Sequence, residues 1–147
     1  MSSEIACVVI PTLNEAQNIV DLIPKVFACQ KKVSSHELHV LIVDGASTDG
    51  TQTAVIDLKK EFLNLDMIVC EKRGLGEAYK YGFNHLFKHM NPDLIFEMDA
   101  DGQHDPNMIP IFIQLIRYGF DCVIGSRFAA GGKLINFSFK SKMLRFN

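Results

Sequence analysis

No apolar run among the 147 residues approaches the ~20 that a bilayer-spanning helix needs. The N-terminus, "MSSEIACVVI", lacks the basic region and layout of a secretory signal, so a cytoplasmic location is expected. No low-complexity tract occurs, and 48% hydrophobic with 22% charged residues is the composition of a soluble globular chain. Cysteine is sparse. Cys7, Cys29, Cys70 and Cys122 show no C-x-x-C spacing and three of them lie in apolar runs, which favours reduced, buried thiols over a zinc or disulfide framework. Acidic residues are missing from one region: residues 122–147 hold five of the 15 basic side chains and none of the 17 acidic ones, so this tail is the cationic part of a chain of net charge −2.

Several catalytic signatures are also missing. Ser126 sits in "GSR", outside any G-x-S-x-G elbow, which removes support for that type of hydrolase. His85 and His89 are four residues apart, but the intervening "LFK" holds no glutamate, so the zinc-protease pattern is absent and a surface stripe is expected. "RGLGEAYKYGF" (73–83) contains a G-x-G without a third spaced glycine or a Lys-Ser/Thr pair, which argues against dinucleotide binding and leaves Arg73 as a phosphate neutraliser or a solvated side chain.

What is present is alternation. "IACVVI" (5–10), "LHVLIV" (38–43), "DMIVC" (66–70), "LIFEM" (94–98) and "DCVI" (121–124) read as strands whose near-continuous apolar character suits a parallel sheet covered on both faces. Amphipathic segments between them read as helices. Asn14 with Gln17, and Asp49 with Gln52, have capping-box spacing; Asp105-Pro106 gives a cap followed by proline, and Gly119 a stop. One domain with an open α/β sheet and right-handed crossovers follows.

Ligands bind such sheets beyond the carboxyl ends of the strands. There this chain places "PTLNE", "DGASTDGT", "EKRGLGEAY", "DADGQH" and "GSRF". In "MDADGQHDP" (98–106) two like charges, Asp99 and Asp101, stand one residue apart, and Gly102 allows the bend that would bring them together. With Gln103 they offer hard oxygen ligands for Mg²⁺ or Mn²⁺, the remaining positions falling to water and a diphosphate. His104 is either a supporting partner of that site or a turn residue. Asp44 either faces a ligand or belongs to a capped loop, and the loop is preferred. The tail interleaves Phe128, Phe137, Phe139 and Phe146 with Lys133, Lys140, Lys142 and Arg145. Peripheral contact with an anionic membrane and a piece of core helix are its two readings.

"VVIPTLNEAQNI", "VDGASTDGT", "RGLGEAY", "MDADGQHDP" and "VIGSRFAAGGK", in this order, resemble the nucleotide-binding half of family 2 glycosyltransferases. The stretch "GSRF" followed by "GGK" is most similar to the dolichol-phosphate and polyprenyl-phosphate mannose synthases. The resemblance implies a GT-A (Rossmann-like) fold, an open, mainly parallel sheet with helices on both faces, C-terminally truncated so that residues 1–147 are the nucleotide-sugar-binding part of a longer domain. It implies inverting transfer of a sugar from a nucleotide-sugar donor, GDP-mannose favoured over a UDP-sugar, to a polyprenyl-phosphate acceptor, with Mg²⁺ or Mn²⁺ as cofactor and no nucleic-acid partner. The alternatives are a saccharide acceptor and a non-catalytic binding module.

Carried over by position, Pro11, Leu13, Glu15, Val43 (through its backbone), Gly45, Asp99, Ala100, Asp101 and Arg127 fall to the nucleotide-sugar. Asp99, Asp101 and Gln103 fall to the metal, and Asp101 and Arg127 to catalysis. Two positions depart from the family: Gly45 stands where a second aspartate is usual, and Leu13 where an aromatic is usual. Both leave the identity of the base open between guanine and uracil.

Overall fold

The computed structural model describes residues 4–71 and 74–126. The chain divides into two compact units, Met1–Ile111 and Phe112–Asn147. The first alternates β1 (Glu4–Thr12), α1 (Ala16–Ala28), β2 (His36–Asp44), α2 (Thr51–Leu58), β3 (Leu65–Val69), α3 (Leu75–His89) and β4 (Leu94–Glu97). A further helix, α4 (Ile109–Arg117), begins at its end.

All strands are parallel and lie in the order β3-β2-β1-β4. The chain lays β2 and β3 outward on one side of β1, then crosses to place β4 on the other. This reversal splays the loops that leave β1 and β4, the place where open α/β sheets form a ligand crevice. Register sets how far each strand carries its terminal residues: Val9 lies opposite Leu41 and Glu97, and Pro11 opposite Val43.

Ala6, Cys7, Val8, Val9 and Ile10 are completely buried, which explains an apolar run without alternation: both faces of β1 are covered. On one face α3 packs Leu86 against Cys7, Val9, Leu41 and Val43. Burial pushes the Cys7 thiol up to about 12, so it behaves as a small apolar side chain. On α1, Ile19, Leu22, Ile23 and Val26 form the buried i, i+3, i+4, i+7 stripe. Each is worth about 1.5–3 kcal/mol of transfer free energy when fully buried.

Three local expectations change. Residues 121–124 form no strand: Asp121 and Cys122 are exposed, and no strand pairs with them among the described residues. Four residues carry too little intrinsic preference to remain extended without a paired neighbour. Cys122 is therefore an exposed thiol, whereas Cys7 and Cys29 are buried. The helix caps also differ. Glu15, not Asn14, precedes α1 and makes no side-chain cap; Gly50, at φ 99°, precedes α2. The Asp105-Pro106 start and the Gly119 stop form as expected, Asp105 accepting from the Asn107 amide and Gly119 adopting φ 102°. Among the described residues no helix is long and apolar enough to cross a membrane.

Candidate functional site

The missing caps are replaced by bonds between two loops. Parallel β1 and β2 are neighbours, so the segments after Thr12 and Asp44 leave the sheet side by side and satisfy each other. Asn14 donates its amide to Ser47 Oγ (2.8 Å) and accepts from the Thr48 amide (2.9 Å). The Glu15 amide donates to Thr51 Oγ1 (2.9 Å), and the Ala16 amide to Asp49 Oδ2 (3.0 Å). Asp49 thus serves the first turns of α1 and α2 together, because its Oδ1 accepts from the Thr51 amide at 3.0 Å. The Thr51 hydroxyl and the Ala16 amide hold the Asp49 carboxyl below the usual carboxylate range. Asn14 and Ala46 take left-handed φ values, 58° and 56°, conformations held by these reciprocal bonds.

Asp44 lies beneath the two loops with no exposed surface. Its Oδ1 accepts from Thr12 Oγ1 (2.9 Å) and Ser47 Oγ (2.6 Å), and its Oδ2 from the Ser47 amide (2.9 Å) and Gln52 Nε2 (2.8 Å). Burial alone would raise this carboxyl, but the bonds from Ser47, Gln52 and Thr12 outweigh it and hold Asp44 below its ordinary value. Of the two roles open to Asp44, the structure places it in the loop network.

Over this frame opens a cavity of about 340 Å³. Pro11, Thr12, Leu13 and Glu15 supply one wall and Gly45 the floor between loops; Cys70 and Glu71 follow β3; Gly74, Leu75 and Ala78 come from the start of α3; Asp99, Ala100 and Asp101 follow β4. Seven positions singled out in the sequence, Pro11, Leu13, Glu15, Gly45, Asp99, Ala100 and Asp101, therefore meet around one space. Val43 does not line it: its side chain is buried against α3. Gln103 is exposed outside it, its amide donating to Asp101 Oδ1 at 3.0 Å. Arg73, Arg127 and the tail 128–147 lie outside the described residues.

Gly102, at φ 76°, provides the bend after Asp101. Four carboxylates, Glu15, Glu71, Asp99 and Asp101, line the cavity, and no described lining residue is basic. Asp99 and Asp101 supply hard oxygen donors of the kind a divalent cation takes. Among the described residues no three His, Cys, Asp or Glu side chains converge into a closed protein cage. Asp99 and Asp101 fit the more open arrangement usual for Mg²⁺, in which one or two carboxylates share the ion with water and phosphate oxygens.

The sequence profile of glycosyl transferase family 2 matches residues 7–146. The chain belongs to this family. A dolichol-phosphate mannosyltransferase of Pyrococcus furiosus is 32% identical over 137 residues, covering 93% of this chain and 37% of the relative. A polyprenol monophosphomannose synthase of Mycolicibacterium smegmatis is 33% identical over 143 residues, covering 93% and 50%. The family 2 chain described here thus spans half or less of the length of these two relatives. Among solved structures, a Pyrobaculum calidifontis mannosyltransferase in complex with GDP-Man and Mn²⁺ superposes with a TM-score of 0.52 at 27% identity, covering 69% of this chain and 28% of the other. Glucosyl-3-phosphoglycerate synthase of Mycobacterium tuberculosis, at TM-score 0.54 and 21% identity over 76% of this chain and 38% of that one, supports the GT-A-like fold.

Two residues that contact Asp99 were not assigned by sequence. Tyr79 lies in the quoted "RGLGEAY", one turn after Leu75 and beside Ala78, so helical spacing already placed it on the cavity side of α3. Its partner, Asp99, is 20 residues away and depends on the crossover to β4. His104, left open in the sequence, accepts from the Asp99 amide through Nδ1 at 3.2 Å.

Proposed function

We propose that this chain is the donor-binding part of an inverting, metal-dependent glycosyltransferase that moves mannose from GDP-mannose to a polyprenyl phosphate. One observation carries the reading: Asp99 and Asp101 face the same cavity as the loops after β1 and β2, where a diphosphate and a nucleoside would lie together. A divalent ion held by Asp99 and Asp101, with Gln103 nearby in the turn, would offset the negative charge that develops on the departing diphosphate. Pro11, Leu13 and Glu15 would bound the base and ribose, with the Val43 backbone fixing the height of that wall. The family resemblance assigns Arg127 to the phosphates. An ionised phosphate on the lipid is already a nucleophile. Its oxygen bonds to the anomeric carbon as the bond to the nucleoside diphosphate breaks, the electron pair leaving with GDP, so no side-chain base is required. The basic, aromatic tail is the segment of this chain suited to an anionic lipid surface.

Calorimetric titration with GDP-mannose, GDP and UDP, with and without Mn²⁺, tests this directly. Metal-dependent binding of a guanine nucleotide is expected, and Asp101→Ala should weaken it at least about 100-fold, the upper range for disturbing a metal site. Equal binding by the variant would remove the metal site from Asp101.

A UDP-sugar donor is the second reading, favoured by Gly45, which presents no side chain to the cavity. A Cβ there would meet Thr12 O at 3.4 Å and Leu13 Cδ1 at 3.6 Å, ordinary contacts, so Gly45→Asp should fold. Its carboxylate would accept the N1–H and N2–H of guanine together, whereas uracil offers a single N3–H flanked by carbonyls. The variant should gain about tenfold or more in preference for GDP over UDP. An unchanged ratio in competition binding would place the base away from Gly45.

A further inference from the structure

We propose that Tyr79 is a positioning residue for Asp99, fixing one carboxylate of the acidic pair before metal and nucleotide arrive. This rests on the donor-binding reading above. The Tyr79 hydroxyl donates to Asp99 Oδ1 at 3.1 Å. The hydroxyl is itself well placed, because the ring is half-buried in the cluster between α3 and the sheet and packs against Phe83 with centroids 6.0 Å apart. On its other side Asp99 meets His104. The bond from the Asp99 amide to Nδ1 puts the imidazole proton of neutral His104 on Nε2, which stands 3.8 Å from Asp99 Oδ2. Asp99 Oδ1 is therefore bonded from α3, a different element, while His104 of Asp99's own loop stands near Oδ2.

Asp101 is held differently. Its Oδ1 accepts from the Gln103 amide within the same short turn. The pair is thus divided into a carboxylate bonded from α3 and one bonded only within its own turn. Orienting Asp99 in advance lowers the ordering cost when an ion binds, the general advantage of preorganised outer partners at a metal site. Because Leu75 and Ala78 of α3 also line the cavity, the helix that bounds the nucleotide space also sets the angle of the first carboxylate.

Tyr79→Phe keeps the packed ring and removes only the hydroxyl. With the full 147-residue chain, Mn²⁺ should be titrated in the presence of GDP, following free Mn²⁺ by paramagnetic resonance, and GDP should be titrated without metal. The Mn²⁺ concentration for half-saturation should rise about tenfold in the variant, while metal-free GDP affinity stays within about twofold. A merely structural role would weaken both together and would overturn the proposal, as would an unchanged Mn²⁺ dependence. The ¹³Cγ resonance of Asp99, recorded without nucleotide or metal, should move in Tyr79→Phe; an unmoved resonance would show that the contact is not made. If the resonance moves but the unmodified chain binds GDP independently of Mn²⁺, the donor-site reading fails and the positioning role falls with it. Mn²⁺-coupled binding that is equal in both chains removes Tyr79 alone.

Discussion

Replacing Asp44 with alanine is expected to remove about 3–5 kcal/mol of folding stability, the range for deleting one partner of a buried charged network. The reason is the number of donors left behind. Thr12 Oγ1, Ser47 Oγ, the Ser47 amide and Gln52 Nε2 all converge on this carboxylate. Asp44 has no exposed surface, so water does not replace it without opening the loops. Asp44→Asn is a milder case: an amide nitrogen in place of Oδ1 donates to the two hydroxyls, which rotate to accept, while the remaining oxygen still serves Ser47 and Gln52. About 1–2 kcal/mol, the advantage of a charged acceptor, should be lost. Urea unfolding separates these outcomes, and an alanine variant within about 1 kcal/mol of the parent would contradict the network.

The same residue predicts a pH dependence. The folded-state carboxyl lies below its ordinary value, near ~3.9 in an unfolded chain. Its contribution is present above that unfolded value and is lost as pH falls through the lower folded value. As pH falls below about 4, Asp44→Asn should therefore lose less stability than the parent. Parallel stability curves for the two chains over that range would contradict this assignment. Because Thr12 joins this network and also lines the cavity, loss of Asp44 should weaken nucleotide binding along with the fold.

The second large effect is expected at Gly82, in the middle of α3. A Cβ on Gly82 would lie 2.8 Å from Val43 Cγ2 and 2.9 Å from Val9 Cγ1. Both valines are fully buried on adjacent strands, where β-branching restricts their rotamers, so the helix must rise from the sheet to admit a methyl group. For Gly82→Ala, overpacking of about 1–3 kcal/mol is offset in part by ~1 kcal/mol of helix propensity. A net loss of up to about 2 kcal/mol is expected. Gly82→Val adds two further methyl groups without the propensity gain and should exceed about 3 kcal/mol. Guanidinium denaturation of both variants provides the check: a valine variant as stable as the parent would show that α3 is not seated so closely. Lifting α3 would also draw Tyr79 from Asp99, so the alanine variant should show the raised Mn²⁺ requirement expected of Tyr79→Phe.

Much of this was legible in the residues. Apolar runs of β-branched and aliphatic side chains marked β1 to β4; in β1 and most of β2 the run is continuous because both faces are covered, whereas β3 and β4 are only partly buried. Polar clusters after each run located the ligand edge of the sheet, since backbone and side chains at strand ends are left to solvent or ligand. The five ordered motifs identified the family, and seven of the positions they singled out surround the cavity.

The sequence did not reveal partners chosen by adjacency in space. Asn14 with Gln17 has capping-box spacing, yet the helix it precedes is completed by Asp49 and Thr51, because neighbouring parallel strands release their loops together. Residues 121–124 have strand-like composition, but a strand exists only when another lies beside it. Local spacing and composition marked β1 to β4, the edge of the sheet where the cavity opens, and the family. The tertiary structure alone decided which groups meet: the donors on Asp44, the seat of Gly82 and the hydroxyl of Tyr79 on Asp99. Thr12 stands 32 positions from Asp44 and Tyr79 20 from Asp99, separations at which sequence pattern carries no distance and only packing supplies one.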